Sequence, residues 1–503
     1  MAADAFQQYL EKTRTLADLT AAVAVLGWDQ ETYMPDGAAQ GRAEQISTLS
    51  ALVHQMTVES GYGDLIRSLS GSSNGNGLEE WQKASLKESL RDLEMATKLP
   101  EEHVREFARA TSLAQHSWKQ ARAEKNYALF ADALTHLVEL KRNEAEYLGY
   151  AENPYDALID QFEPGMTVAQ LTPVFTRLRE GTRVLLERIA AAPNKPDDSV
   201  LFTDFDKEKQ LAYSREMVAK LGFNFGIGRV DLSAHPFCTS FGMTDVRLTT
   251  RIFNDDLRSC LFGLIHEAGH GMYEQGVDPA YTRTPLASGT SMGIHESQSL
   301  FWENMIARSE PFWQWAFPSL QSTFPGPLGS LDASGFFRAI NVVKPSFIRI
   351  ESDELTYNLH IVIRFEIENA LINGQITVAD VPELWNSKMH EYLGITPADD
   401  AEGCLQDVHW SFGGFGYFPS YTLGKLYAAM FYRQMKREMP DLEAQITAGQ
   451  FTNVLAWLRE KIHRWGKSKR SATLVMEICN EPLSESAFLE YMTGKVERVY
   501  GLG

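Results

Sequence analysis

The stretch Leu261-Phe-Gly-Leu-Ile-His-Glu-Ala-Gly-His270 carries the clearest signal for the fold of this chain. Its apolar first half predicts a helix that is buried on one side. Positions i and i+4 of a helix lie on one face, so the imidazoles of His266 and His270 can reach one metal ion. Glu267 lies beside them and can hold and deprotonate a water molecule bound to that ion.

The alternative interpretation of this stretch is a chance histidine pair on an exposed helix. The apolar run Leu261–Ile265 argues against it, because it places the helix against a core. A buried histidine pair beside a carboxylate needs a partner for its polar atoms, and a metal ion is the usual one. The motif therefore predicts a metal site.

Two histidines leave a catalytic zinc site one protein ligand short, because such a site has three protein ligands and an open position. A metzincin would place a third histidine six residues after His270, but Gly276 stands there. Glu296 lies 26 residues after His270, far enough for a loop and a second antiparallel helix. It completes a His2Glu set. Glu274 is the rival ligand, but it lies a turn beyond the metal, and we expect a solvated surface acid there.

Two further residues near Glu296 have predicted supporting roles. His295 faces elsewhere on the helix, so we expect it to support the site or the fold without binding the metal. Glu303 lies seven residues after Glu296, on the same helix face. It can orient a ligand histidine by accepting a hydrogen bond, and a plain salt bridge is the equal alternative.

The rest of the chain predicts one large, mainly helical protein. Ala and Leu recur at spacings of three and four over the first ~150 residues, and helices resume at Ser259. Between them, Asp245-Val-Arg-Leu-Thr249 alternates polar and apolar side chains, which predicts a strand in a small sheet. The run Gly71–Gly77 predicts a surface loop. We expect one domain over residues 1–503, and if a cleft divides it, two lobes should share the core.

Composition and charge exclude several classes of protein. The 503 residues are 44% hydrophobic and 22% charged, as in globular proteins, and not as in disordered, collagenous or coiled-coil chains. A formal net charge of −19 disfavours nucleic acid and anionic membranes as partners. No stretch reaches the ~18 apolar residues of a membrane span. The four scattered cysteines predict buried free thiols, and the N-terminus has no secretory signal, so we expect a cytoplasmic protein.

Several ordered segments make the chain resemble the carboxypeptidase Taq family of metallocarboxypeptidases. They are HEAGH at 266–270, HESQS at 295–299, HPF at 235–237, DVRLT at 245–249, IRIESD at 348–353, GCLQDVHW at 403–410, GYFPSYTLG at 416–424 and WDQETYMP at 28–35. The visible departure from the family pattern is Ser352, where the family has alanine. This change leaves Arg349 and Asp353 in place.

The resemblance implies a mainly α fold like that of neurolysin-like and angiotensin-converting-enzyme-like peptidases, with a small β-sheet beside a deep active-site cleft. It implies a homodimer that removes single residues from free peptide C-termini with broad preference and handles C-terminal proline poorly. The implied cofactor is one Zn²⁺ per subunit, which Co²⁺ can replace. An endo-acting oligopeptidase on the same fold stays open as the alternative function. A non-catalytic binding protein is disfavoured because Glu267 and the ligands are present, and nothing in the sequence supports a nucleic-acid partner.

The resemblance also implies catalytic roles outside the metal site. Glu267 would act as the general base and return the proton to the leaving amine. Tyr421 and His409 are the candidates for stabilising the oxyanion, because their spacing of 12 residues is similar to that of a His and Tyr pair in neurolysin-like enzymes. Tyr417 is the alternative phenol, and core packing is the alternative role for Tyr417.

A carboxypeptidase must also recognise a free α-carboxylate, which suits the planar fork of arginine. Arg349 is the leading candidate, and its alternative role is an i,i+4 ion pair with Asp353 on one helix. Arg247 and Arg364 are less favoured candidates. Either the strand at 245–249 pairs with extended substrate, or Arg247 and its neighbour Asp245 only stabilise that strand.

His235 is the last candidate for a substrate contact. Pro236 follows it, so an equal alternative is that His235 fixes a turn.

Overall fold

A computed structural model describes residues 2–71 and 77–502 of the chain. The predicted loop at Gly71–Gly77 therefore lies largely outside the described residues. The described part is mainly helical, as expected. Its helices, numbered α1 to α21 in chain order, are Ala2–Thr32, Ala39–Val58, Ser60–Ser70, Glu80–Lys98, Glu101–Ala123, Ala128–Leu148, Pro154–Ile159, Val168–Ala190, Lys207–Leu221, Leu257–Glu274, Met292–Leu300, Glu310–Thr323, Pro325–Leu328, Ala333–Ala339, Tyr357–Ile372, Val381–Leu393, Pro419–Glu438, Leu442–Thr447, Thr452–Lys461, Ser471–Cys479 and Ser486–Tyr500.

The chain folds into two compact units, and each unit is assembled from three separated segments. The first unit comprises the residues up to Thr97 together with Asp198–Ile340 and Phe431–Asn480. The second comprises Lys98–Asp197, Asn341–Met430 and the residues from Glu481 onward. The chain passes between the units within helices α4 and α17 or close to helix ends. The boundary at Asp197 lies in a stretch with two prolines, residues 191–198, whereas the boundaries at Thr97 and Met430 lie in helical sequence.

A three-stranded sheet lies in the first unit, as predicted. Its strands are β1, Gly228–Leu232; β2, Cys238–Ser240; and β3, Val246–Thr250. The order is β1-β3-β2, with β1 parallel and β2 antiparallel to β3. Because β3 is central, both of its edges are occupied by neighbouring strands. The prediction that substrate could pair with residues 245–249 is therefore wrong.

Helix α10 carries the HEAGH motif, and its burial was predicted correctly. Asp256 begins the helix by accepting a hydrogen bond from the backbone N–H of Arg258 (2.8 Å), and the apolar run before the motif is buried. Gly269 lies against α11. A Cβ atom at this position would lie 2.5 Å from the Gln298 carbonyl oxygen, so only glycine allows α11 to approach α10 this closely. This approach brings the HESQS motif to the HEAGH motif.

The cysteines are free, and three of the four are buried as predicted; Cys238 on β2 is partly exposed. Among the described helices, none combines the length and the apolar composition that a membrane span requires.

Candidate active site

Three side chains of the first unit form a cluster with the geometry of a metal site. The Nε2 atom of His266 lies 3.7 Å, and that of His270 3.5 Å, from one carboxylate oxygen of Glu296. Two ligand atoms that each lie ~2.1 Å from a tetrahedral ion are ~3.4 Å apart. The donor set and its spacing therefore fit a divalent ion, and His266, His270 and Glu296 are the one such group among the described residues.

The outer nitrogen of each histidine is turned away from the cluster by a hydrogen bond. His266 Nδ1 lies 2.9 Å from Glu303 Oε2, and Arg308 donates to the other Glu303 oxygen at 3.0 Å. Glu303 thus combines the two roles considered for it, since it orients a histidine and forms a salt bridge. His270 Nδ1 lies 2.6 Å from His295 Nδ1. Both Nε2 atoms are therefore left for a metal ion.

Glu274 does not lie on the solvated surface, so that prediction is wrong. The residue is 6% exposed, and its Oε1 atom lies 2.8 Å from His295 Nε2. Packing of α11 against α10 brings His295 over the last turn of α10, which buries the carboxylate. The periodicity of α10 alone does not show which other helix covers the Glu274 carboxylate.

Glu267 is the one acid of the HEAGH motif, and it is buried (7% exposed). Burial raises the pKa of Glu267 to about 7; the Glu296 and Glu303 carboxylates act in the same direction, and His266 opposes them. Burial lowers the pKa of His270 to about 4. A carboxyl group with a pKa near 7 can both accept and return a proton at neutral pH.

A second cluster of predicted residues lies in the second unit. The hydroxyl of Tyr421, at the start of α17, lies 3.4 Å from His409 Nε2. The Tyr417 ring packs edge-on against the Tyr421 ring, with centroids 5.3 Å apart. Burial lowers the pKa of His409 to about 4, with Arg349 acting in the same direction. His409 is therefore a neutral imidazole that can donate one hydrogen bond.

Arg349 is buried in the second unit and is already paired with a carboxylate. Its Nη2 atom donates to Asp407 at 2.6 Å, and its Nη1 atom donates to the Tyr357 hydroxyl at 2.6 Å. The alternative i,i+4 pair with Asp353 is wrong. The Asp353 carboxylate instead accepts hydrogen bonds from the backbone N–H groups of Leu355 and Thr356, just before α15.

Asp407 and Gln406, both in the segment GCLQDVHW at 403–410, link two arginines. Arg364, which has no exposed surface, donates to Asp407 at 2.7 Å and to Gln406 at 2.8 Å. The two guanidinium groups outweigh the effect of burial and hold the pKa of Asp407 far below its usual range. Asp407 therefore pairs with both guanidinium groups, and Arg364 also contacts Gln406.

Glu368 of α15 was missed from the sequence. It has no exposed surface, and it accepts hydrogen bonds from Trp410 Nε1 (2.7 Å) and from the backbone N–H of Gly416 (2.9 Å). Trp410 directly follows His409, and Gly416 directly precedes Tyr417. One buried carboxylate therefore ties both ends of the segment between these two residues. Nothing in the sequence separates Glu368 from Glu366, a partly exposed acid two residues earlier on α15.

The two remaining predicted residues lie near the sheet of the first unit. Arg247 pairs with Asp245 at 3.0 Å, and its guanidinium lies 4.2 Å from the Trp28 ring centroid. This geometry favours the alternative in which Arg247 stabilises the strand. His235 is exposed, and its carbonyl oxygen accepts a 2.6 Å hydrogen bond from Ser233 Oγ, which is typical of a turn.

Comparison with known proteins extends over both units. The family model of carboxypeptidase Taq (M32) metallopeptidases matches residues 8–496. Carboxypeptidase 1 of Bacillus subtilis is 40% identical over 494 residues, 98% of each chain. Thermostable carboxypeptidase 1 of Thermus thermophilus is 38% identical and covers 99% of each chain. The crystal structure of the M32 carboxypeptidase from Deinococcus radiodurans R1 superposes with a TM-score of 0.96 at 37% identity, over 99% of this chain and 100% of that one.

Proposed function

The chain belongs to the carboxypeptidase Taq (M32) family of metallopeptidases, and we propose that it releases single amino acids from free peptide C-termini with broad preference. As a member of this family it is a metallocarboxypeptidase, which acts on peptides and requires a metal. The observation that carries the proposal is the cluster of His266, His270 and Glu296 with Glu267 beside it.

We propose one Zn²⁺ per subunit, held by His266, His270 and Glu296, with Co²⁺ able to replace it. Two imidazoles and one carboxylate at near-tetrahedral spacing support zinc over the larger, oxygen-preferring cations. When bound, such an ion lowers the pKa of water and polarises the scissile carbonyl group.

We propose that Glu267 is the general base. It takes a proton from the attacking water and gives it to the leaving amine. Its burial and its place in the HEAGH motif, directly after the ligand His266, support this role, because they hold the carboxylate beside the metal position.

Tyr421 and His409 are the proposed donors to the oxyanion that forms when water attacks the carbonyl group. Their 3.4 Å contact places the phenol and the imidazole side by side. The neutral imidazole and the phenol each carry one hydrogen that can be donated to the oxyanion. Tyr417, which packs against Tyr421, is the alternative phenol.

Arg349 is the proposed partner of the substrate α-carboxylate. Its Nε atom donates to both oxygens of Asp407, its Nη2 atom donates to Asp407 and its Nη1 atom donates to Tyr357. Each Nη atom carries a second hydrogen, so two N–H groups are left for a substrate. Asp407 holds the guanidinium plane in place, which lowers the entropy lost when a carboxylate binds.

Extended substrate is proposed to pair with the free edge of β2. Thr249 N–H donates to the Phe237 carbonyl oxygen, and Phe241 N–H donates to the Asp245 carbonyl oxygen. Antiparallel pairing alternates, so the backbone groups of Cys238 and Ser240 point away from β3. β2 packs beside α10. An extended peptide on this edge therefore runs along the helix that carries His266 and His270.

The first experiment is a digestion of one peptide as free acid and as C-terminal amide, with and without a chelator, analysed by mass spectrometry. Stepwise loss of C-terminal residues from the free acid alone, abolished by the chelator, is expected. Internal cleavage of both forms would replace the proposal with an endo-acting oligopeptidase. If neither form is cleaved with zinc present, the proposed activity is wrong.

The assembly and location are further proposals. A homodimer follows from the family resemblance, and light scattering on the purified protein tests it. A cytoplasmic location is supported by the four free cysteines, which a reducing compartment maintains. The position of the protein in cell fractions tests the location.

A further inference from the structure

A chain of hydrogen bonds leads from Glu274 through His295 to His270 in the first unit. His295 Nε2 lies 2.8 Å from Glu274 Oε1, and His295 Nδ1 lies 2.6 Å from His270 Nδ1. Both distances are those of hydrogen bonds. All atoms of the chain belong to helices α10 and α11, whose relative position is fixed by the close approach at Gly269.

The order of donors and acceptors along this chain follows from elementary chemistry. As a metal ligand, His270 offers the lone pair of Nε2, which faces Glu296, so its hydrogen lies on Nδ1. That hydrogen is donated to His295 Nδ1, which accepts it. The hydrogen of the His295 ring then lies on Nε2 and is donated to Glu274. The contacts to His295 and Glu274 therefore match the tautomer of His270 that binds a metal.

Helix geometry places both ends of the relay on one face of α10. His266, His270 and Glu274 lie at i, i+4 and i+8 on one face of α10, about one turn apart. Glu274 is the right residue type to orient His270, but it makes its contact with His295, which bridges the two. His266 has no such relay, because it contacts Glu303 directly.

The His295 ring is held by packing as well as by hydrogen bonds. The Tyr273 ring lies with its centroid 5.3 Å from that of His295. A Cβ atom on Gly289 would lie 2.6 Å from His295 Cδ2. The backbone at position 289 therefore closes against the ring, and the imidazole has little freedom to turn its nitrogens away from the relay.

We propose that Glu274 and His295 are positioning residues that fix the tautomer of His270 and thereby set the affinity of the site for its metal. The inference rests on the proposed function, because it takes His270 as a ligand. It assigns a task to Glu274, whose burial the metal site by itself does not require.

The test measures the dissociation constant of Zn²⁺ from metal-free protein by competition with a chromophoric chelator. Glu274→Met conserves volume and removes the acceptor, and His295→Phe keeps a ring but removes both nitrogens. Each is expected to weaken Zn²⁺ binding about 10–100-fold. Glu274→Gln keeps an acceptor oxygen and should bind Zn²⁺ nearly as tightly as the wild type.

A matched control separates the effect of losing the relay from the general effect of removing a buried acid. Glu88 is also buried in the first unit, where it pairs with Arg470. Glu88→Met should lower the melting temperature of the metal-free protein and leave the Zn²⁺ dissociation constant unchanged. If Glu274→Met does not fold, His295→Phe carries the same test, because an aromatic ring still packs beside Tyr273.

Two further variants make the outcomes distinct. His270→Ala and Glu296→Ala should abolish tight Zn²⁺ binding; if they do not, the ligand assignment itself is wrong. Suppose that both ligand variants abolish tight binding, whereas Glu274→Met and His295→Phe fold and bind Zn²⁺ like the wild type. The ligand assignment then stands, and only the relay is overturned. Equal weakening by Glu274→Gln and Glu274→Met would also contradict it, since the acceptor would then not be the cause.

Discussion

At the scale of single residues, three glutamates near the HEAGH motif differ only in their neighbours. Glu296 faces the Nε2 atoms of two histidines, Glu303 faces an Nδ1 atom and Arg308, and Glu274 faces His295. The first arrangement suits metal binding and the other two suit orientation. Residue type alone cannot separate these roles.

We expect Glu267→Gln to retain the metal and to lower kcat by about 10²–10⁴-fold. The amide keeps the size of the side chain but cannot accept the proton of the attacking water. Turnover of a free-acid peptide and the zinc content per chain are the two measurements. Glu216→Gln, at an exposed glutamate of α9, is the matched control and should be fully active. Near-normal turnover by Glu267→Gln would exclude it as the general base.

We expect Arg349→Lys to remain folded, because the ammonium group can still pair with the buried Asp407. It should lose efficiency on free-acid peptides by about 10–100-fold, since a hydrogen bond to a charged group contributes ~1.5–3 kcal/mol and lysine lacks the planar fork. The measurement is kcat/KM on matched free-acid and amidated peptides. Equal losses on both would show that Arg349 does not bind the α-carboxylate.

At the scale of secondary structure elements, the order of the strands decides which strand edge an extended peptide can pair with. β3 is the central strand, so neighbouring strands occupy both of its edges. β2 is an outer strand, and on its outer edge the backbone groups of every second residue point away from β3. The alternating pattern that predicted β3 gave no strand order. Strand order depends on which segments meet in space.

Peptides with one N-methylated amide test the β2 edge without changing the protein. At a position that pairs with Cys238 or Ser240, the methyl group removes one backbone hydrogen bond, which contributes ~0.5–1.5 kcal/mol. KM should rise by about two- to tenfold at alternate substrate positions and change little between them. A uniform KM along the peptide would argue against strand addition.

At the scale of the whole molecule, buried acids make stability depend on pH. Burial raises the pKa of Glu368 to about 7, from a usual value of 4.5. Between these values the folded protein binds more protons at this site than the unfolded chain does. The contribution of Glu368 to the free energy of unfolding therefore increases as the pH falls from 8 to 5.

Glu368→Gln isolates this contribution, because glutamine does not titrate. Relative to the variant, the wild type should gain about 2–3 kcal/mol of unfolding free energy between pH 8 and pH 5. Urea denaturation of both proteins at the two pH values measures the difference. The same gap at both values would show that Glu368 does not titrate in this range. Glu366→Gln, at a partly exposed acid of the same helix, is the control.

Local spacing along the chain was enough to predict several features of this protein. The four-residue spacing of His266 and His270, the apolar run before them and the alternation at 245–249 predicted α10, its buried face and a strand. The grouping of Glu296 with the two histidines was also predicted, because a second helix after a loop can return to the first. The helix, its buried face and the strand are consequences of backbone periodicity, whereas the grouping of Glu296 with the histidines also needs α11 to pack against α10.

The partner of each buried charged side chain, by contrast, depends on the folded structure. Arg349 pairs with Asp407, 58 residues away, and not with Asp353, four residues away. Glu274 is buried because α11 crosses it, and Glu368 is buried against a segment more than 40 residues away. A buried charge must be paired or hydrogen-bonded wherever a partner lies in space. Distance along the chain does not specify that partner.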